Sequence, residues 1–436
     1  MMKLMVYMFM MIPMSFINKS WLVNQFMYLF LYMMILIEST NMFFSSISYS
    51  FGMDHFSMNL IMLSLLISSF MVISMSNSKN MSLYLIINLF LSFFLLIIFS
   101  SLNFLYMYIS FEFVLVPLLI LILGWGYQPE RLMAGLYLFF YTILVSLPLL
   151  ILIIFLYSKS GSVFFDYMKF YSEFMLIHFI IVFVFLVKLP MFLVHFWLPK
   201  AHVQAPVSGS MILAGLMLKI GGYGLIRTMN MYEFMYMNYS YIWYSLSMVG
   251  SLLIGMLCLI QGDIKCLIAY SSVSHMGMVI MGLMTMSSWG LMGSFLLMLG
   301  HGFCSSGLFY MANLFYMRTS SRSFFINKGL MMYMPSCSMI WFIYCSFNMS
   351  CPPSINFISE LMILSSMLEF WINSMVYFIG ISFFCACFSY YLYSYSQHGL
   401  FHNIYSFSMI NLLEFLCLFM HLIPLMIYPI VILSLM

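Results

Sequence analysis

The sequence predicts an all-α polytopic membrane protein of about fourteen transmembrane helices, on three observations. Hydrophobic residues make up 65% of the 436 and charged residues 6%, where an ordinary soluble domain carries about 25% charged residues. Apolar runs long enough for a hydrocarbon core of about 30 Å follow one another through the chain with short polar gaps between them, leaving no room for a separate soluble domain. Lysine and arginine also divide unequally between alternate gaps, as they do when spans are counted in the right register. Residues 1–18 contain Lys3 and an apolar run without a small-residue cleavage site, so they read as a first spanning helix rather than a removable presequence.

Windowed hydropathy places the spans at approximately 4–17, 22–37, 56–75, 82–100, 102–123, 132–157, 175–198, 207–229, 238–260, 264–286, 289–316, 332–368, 371–395 and 404–433. Turn and linker chemistry marks Gly124 to Pro129, Ser158 to Ser172 and Arg318 to Lys328. The seventh span holds Pro190, which lacks an N–H and clashes with the preceding turn, so a break is expected just after Lys188. The twelfth span is long because Cys351-Pro352-Pro353 interrupts it.

The face shared with the N-terminus carries four cations, Lys3, Lys159, Lys169 and Arg227, beside Glu38, Asp54, Asp166, Glu173, Glu233 and Glu369. The opposite face carries eight, Lys19, Lys79, Arg131, Lys200, Lys265, Arg318, Arg322 and Lys328, beside Glu130 and Asp263. That bias puts both termini on the outer side, with Lys200 and Lys265 in inner loops. The two broken helices are five apart in the span order, and an odd repeat unit must enter the membrane in the opposite sense the second time. Two inverted five-helix repeats follow as the expected architecture: helices 1–3 over 1–80, a first repeat over 81–230, a second over 231–396, and a last helix over 397–436.

With loop residues set aside, Glu112, Lys188, Lys219 and Glu360 are the ionisable residues other than histidine left deep in membrane sequence. A charge at mid-bilayer costs about 2.5–3.5 kcal/mol on insertion scales, so each is a functional candidate. Glu112 has no neutralising residue in its own helix, and Lys188 or Lys219 is its expected partner, either as a static pair between helices or as a switchable one. Lysine gives up its proton when buried and arginine does not, which suits a switch.

His195 follows Lys188 by seven and His202 follows His195 by seven, a spacing that returns to one helical face if the prolines do not rotate it away. His195 reads as a proton relay or as a helix-packing hydrogen bonder, and His202 as positioning the Pro199-to-Pro206 turn. His275 and His301 sit among small residues that permit close helix approach, where a polar line could pass.

Other chemistries are excluded. The nine cysteines contain no C-x-x-C pair, which argues against a zinc or iron–sulfur site and leaves them as buried filler. Net charge is +3 with cations scattered singly, so no nucleic-acid surface is present. Gly221, Gly222 and Gly224 follow no strand and read as packing glycines rather than a phosphate cradle. Glu414 has no partner motif and reads as a helix-end or subunit-contact residue, while Glu130-Arg131 and Asp263 with Lys265 read as loop organisers.

Several stretches carry a resemblance: LGWGYQPERLMAGLYLFF from Leu123, VKLPMFLVHFWLPKAHVQAPVSGSMILAG, LMLKIGGYG, DIKCLIAYSSVSHMG, HGFCSSGLF and PPSINFISELMIL. Over nearly its whole length the chain resembles the NADH-ubiquinone oxidoreductase chain 4 family, antiporter-like subunits of respiratory complex I. The resemblance implies fourteen helices with two inverted bundles and proton translocation without redox groups in the chain itself. It places the family's fifth-helix glutamate on Glu112, its seventh- and eighth-helix lysines on Lys188 and Lys219, its twelfth-helix glutamate on Glu360, and its central histidines on His275 and His301. Gln204 stands where many mitochondrial members have Glu, keeping a hydrogen-bonding role. Ser359 replaces the usual Gly and adds a hydroxyl near Glu360. The resemblance further implies the mitochondrial inner membrane, neighbouring antiporter-like chains and other membrane-arm subunits as partners alongside lipid, and FMN, iron–sulfur clusters and ubiquinone held by other subunits. A cation/proton antiporter subunit and a purely structural membrane-arm subunit are the rival readings.

Overall fold

The computed structural model describes residues 2–17, 20–37, 46–76, 78–167, 174–400 and 408–435. Lys19, Glu38, Lys169 and Glu173, counted above as loop charges, lie outside the described residues. The elements in order are α1 Met2–Met10, α2 Ile12–Ser15, α3 Trp21–Ile37, a hairpin of β1 Ser46–Ser48 and β2 Phe51–Met53, α4 His55–Ser74, α5 Met81–Ser100, α6 Phe104–Phe113, α7 Leu115–Trp125, α8 Arg131–Ser160, α9 Met175–Lys188, α10 Trp197–Gln204 and α11 Val207–Ile212. A π-helical segment, Leu213–Met217, joins α11 to α12 Leu218–Met231. Then come α13 Glu233–Cys258, α14 Ile264–Met284, α15 Ser288–Thr319, a 3₁₀ turn Leu330–Met332, α16 Pro335–Asn348, α17 Ile355–Phe370, α18 Ser374–Gln397 and α19 Leu412–Leu435.

Every one of the predicted intervals carries helix, and ten helices among the described residues are long and apolar enough to cross a membrane. Local chemistry sets their ends. Gly161 (φ +71°) closes α8 in the left-handed conformation that glycine adopts without cost. Ser287 caps α15, its side chain accepting from the Gly290 N–H at 3.1 Å. Pro335 starts α16 at a position where a missing N–H costs nothing.

Both predicted breaks are present. α9 stops at Lys188 and the backbone from Leu189 to Phe196 is non-helical, with Leu193 at φ +85°. α16 and α17 are separated by Met349 to Ser354, where Ser350 is at φ +60°. Pro148, by contrast, is carried inside α8 without ending it. Two irregularities were not foreseen: an interruption at Val114, three residues before Pro117, and the π segment ahead of Lys219.

The chain forms two compact units, Met1–Lys188 with Gln204–Tyr239, and Leu189–Val203 with Ser240–Met436. In the first, α4 is buried on all sides by α3, α5 and α11, and α12 packs along α9. In the second, α15 is the central helix, buried along nearly its whole length against α14, α17 and α19. Glycines make that packing close: a Cβ on Gly293 would lie 2.8 Å from the Met362 Cβ, and one on Gly300 would overlap the Asn356 side chain.

Two loop assignments are corrected. Lys265 is in the first turn of α14 and buried, because α14 begins as soon as Asp263 bridges to Ser323. Arg227 lies inside α12 and is buried, and its charge is met by Asp54 at 2.5 Å. Lys200 sits on short helix α10 and is exposed.

Candidate functional site

In the first unit Lys188 is the last residue of α9, 2% exposed. Its Nζ donates to the Phe111 carbonyl at 3.1 Å and lies 3.1 Å from the centre of the Phe111 ring. Cation–π attraction of this kind reaches about 2 kcal/mol when desolvated. Pro117 supplies no N–H to the Phe113 carbonyl four residues back, and the helix is interrupted between them at Val114, just after Phe111 and Glu112. Glu112 is half-buried and forms no ion pair with Lys188 within 4 Å, and Glu112 Oε1 is buried without a hydrogen-bond partner. The expected pair is therefore not in direct contact. The ammonium prefers a carbonyl and a ring face one residue away from the carboxylate.

Lys219 is fully buried on α12, and its Nζ donates to the Ala214 carbonyl at 2.6 Å. Ala214 belongs to the π segment, whose wider turn places a carbonyl five residues back within reach of the lysine. No hydropathy signal marks that segment in the sequence. One turn further, Gly224 lets the Phe185 ring come so close that a Cβ there would overlap it. Phe185 in turn meets Phe111 edge-to-face at 6.1 Å and 80°. Phe111, Phe185 and Gly224 thus connect the seat of Lys188 to the helix of Lys219.

In the second unit, His195 lies in the non-helical stretch after the break, stacked on Phe192 at 5.9 Å and Phe196 at 4.6 Å and facing the edge of Tyr270 at 6.1 Å. The seven-residue spacing from Lys188 through His195 to His202 does not lie on one helical face, because the helix ends at Lys188 and restarts only at Trp197. His202 lies on α10, stacked parallel to Phe309 at 4.6 Å. His275 on α14 and His301 on α15 are buried with ring centroids 5.5 Å apart. The nearby glycines serve other neighbours: Gly277 brings α14 close to Ser251 of α13, and Gly300 brings α15 close to Asn356 of α17.

Glu360 on α17 is half-buried, and the Ser350 hydroxyl, carried by the backbone break, donates to its carboxylate. The Ser359 hydroxyl is turned away, donating to the Asn356 carbonyl at 2.7 Å, as a helical serine bonds back to its own turn. Asn356 spans the break by donating to the Phe347 carbonyl at 2.9 Å. The serine that serves Glu360 is thus one the sequence reading passed over, ten positions upstream.

Outside these clusters, Gln204 Nε2 donates to Glu130 at 3.0 Å, so the hydrogen-bonding role expected of that position is filled. Arg131 donates to the Gly126 carbonyl at 2.9 Å. Glu414, which had no evident partner in sequence, pairs with Arg318 at 2.6 Å.

A model of the NADH-ubiquinone oxidoreductase chain 4 amino terminus matches residues 1–99, and a model of the NADH:quinone oxidoreductase/Mrp antiporter TM family matches residues 101–389. The chain is 48% identical to the NADH-ubiquinone oxidoreductase chain 4 of Ceratitis capitata over 98% of this chain and 97% of that one. It is 46% identical to that of Aedes aegypti over 96% of each. A chain of respiratory complex I from Thermus thermophilus with bound NADH has the same fold, with a TM-score of 0.86 at 18% identity, covering 97% of this chain and 94% of that one. On these matches and the helical membrane architecture that carries them, the chain belongs to the NADH-ubiquinone oxidoreductase chain 4 family.

Proposed function

We propose that this chain is a proton-translocating membrane subunit of NADH:ubiquinone oxidoreductase. It would act among other membrane-arm subunits, in the mitochondrial inner membrane, with both termini on the intermembrane-space side. The observation that carries the reading is where the buried ionisable groups sit. Lys188 rests on a carbonyl beside a helix break, Lys219 on a carbonyl of a π segment, and Glu360 takes a hydroxyl from a second break. Irregular backbone at membrane depth belongs where polar groups line a path.

In this reading Glu112 biases Lys188 between its carbonyl seat and a released state, and Lys219 passes the proton on. Glu360 exchanges it at the far end, with His195, His275 and His301 as relays. Lysine suits the two inner stations because it can be neutral or charged, and a carbonyl seat accepts from either form. Residues 81–230 and 231–396 form two inverted repeats, each contributing one broken helix. The chain needs no bound cofactor for this role; FMN, iron–sulfur clusters and ubiquinone chemistry belong to other subunits. Purification of the chain without any redox partner would favour a cation/proton antiporter instead.

The test is Lys219→Met in the assembled complex, reconstituted into proteoliposomes. The expected result is fewer protons moved per NADH oxidised. Wild-type pumping by a complex verified to contain the variant would leave this chain a structural role only.

A further inference from the structure

Lys219, Tyr223 and Arg227 recur every fourth residue along one side of α12, over about 12 Å of helix. Tyr223 is fully buried; its hydroxyl donates to the Phe99 carbonyl at 2.8 Å and accepts from Arg227 Nε at 2.9 Å. The guanidinium carbon is 4.9 Å from the Tyr223 ring centre, and Nη2 meets Asp54 at 2.5 Å. Arg227 is 8% exposed and Asp54 4%, so the pair is buried. Asp54 immediately precedes α4, its own N–H held by Ser57 Oγ at 2.6 Å, which fixes the carboxylate where α12 nears its end.

We propose that Arg227, held in place by Asp54, is an electrostatic seal that closes the Lys219 line at the end of the first unit where α4 begins. The proposal rests on the reading that Lys219 carries protons. A polar row leading from a proton-carrying lysine to a membrane face would short-circuit the pump unless something on it refuses a proton. Arginine does: it stays charged, has no acceptor site, and repels an approaching hydronium, as cationic constrictions do in proton-excluding pores. The Tyr223 hydroxyl proton is committed to the Phe99 carbonyl rather than to the row. Asp54 makes the buried cation tolerable, since a buried charge without its partner is strongly unfavourable.

A seal by charge and a plain structural ion pair differ in which half matters. Complexes carrying Arg227→Gln or Asp54→Asn are reconstituted into proteoliposomes. Passive proton entry is measured without NADH, driven by a potassium diffusion potential with valinomycin and read by an internal pH dye. Arg227→Gln removes the cation and leaves Asp54, so the leak should rise several-fold. Asp54→Asn leaves the cation in place and should stay as tight as wild type. Both variants tight, or both leaky, overturns the seal. If either single variant fails to assemble, the neutral pair Asp54→Asn/Arg227→Gln, which buries no orphan charge, is measured instead: leak supports the seal, while tightness or failure to assemble overturns it. Adding Lys219→Met to the leaky variant should abolish the leak, and a persistent leak would overturn the route along α12. The pumping reading fails separately, if Lys219→Met alone leaves protons per NADH unchanged.

Discussion

Replacing Gly224 with alanine tests whether aromatic packing holds the first lysine in place. The added Cβ would overlap the Phe185 ring, with even the third-nearest ring atom, Cζ, at 2.8 Å, where carbon pairs sit best at about 3.5–4.0 Å. Overpacking of this kind costs roughly 1–3 kcal/mol, while alanine recovers up to about 1 kcal/mol of helix propensity over glycine. The net loss of stability is thus about 0–3 kcal/mol, and assembly should survive. Function should suffer more, because Phe185 must rotate, Phe111 loses its edge-to-face neighbour, and the ring beneath the Lys188 ammonium shifts. The assay is protons moved per NADH in proteoliposomes, read beside thermal unfolding of the complex. Phe185→Leu added to Gly224→Ala makes room for the methyl and should restore stability, with a coupling of roughly 0.5–3 kcal/mol in a stability cycle, but not pumping, since leucine offers Phe111 no ring edge. Wild-type pumping by Gly224→Ala, or full pumping by the double variant that lacks the Phe185 ring, would refute the transmission from α12 to the lysine seat.

Two further outcomes are expected. Lys188→Arg keeps the charge and the contact with Phe111 but does not release its proton, so the complex should assemble and pump poorly; normal protons per NADH would remove the switching role of Lys188. Gln204→Ala takes a donor from the Glu130 carboxylate, a hydrogen bond worth about 1.5–3 kcal/mol, and should lower the unfolding temperature of the complex with protons per NADH unchanged; a fall in pumping at constant stability would give Gln204 a part in transport.

The sequence by itself determined the class, the helices and the candidates. Hydropathy is additive along a chain, so the fourteen apolar intervals could be read without knowing what each one touches. Pro190 and Pro352-Pro353 announce their breaks by lacking an N–H, and the cost of a charge in hydrocarbon singles out Glu112, Lys188, Lys219 and Glu360. What those groups hold on to was decided only by tertiary structure. Lys188 could have paired with Glu112 and instead takes the carbonyl of Phe111, from a helix 77 residues away in sequence. Glu360 takes its hydroxyl from Ser350 rather than from adjacent Ser359, since a helical serine satisfies itself on its own turn. The π segment under Lys219, and the burial of Arg227 against Asp54, depend on how helices distant in sequence meet. A side chain's partner is fixed by distance and direction in space, and neither is written in the order of residues.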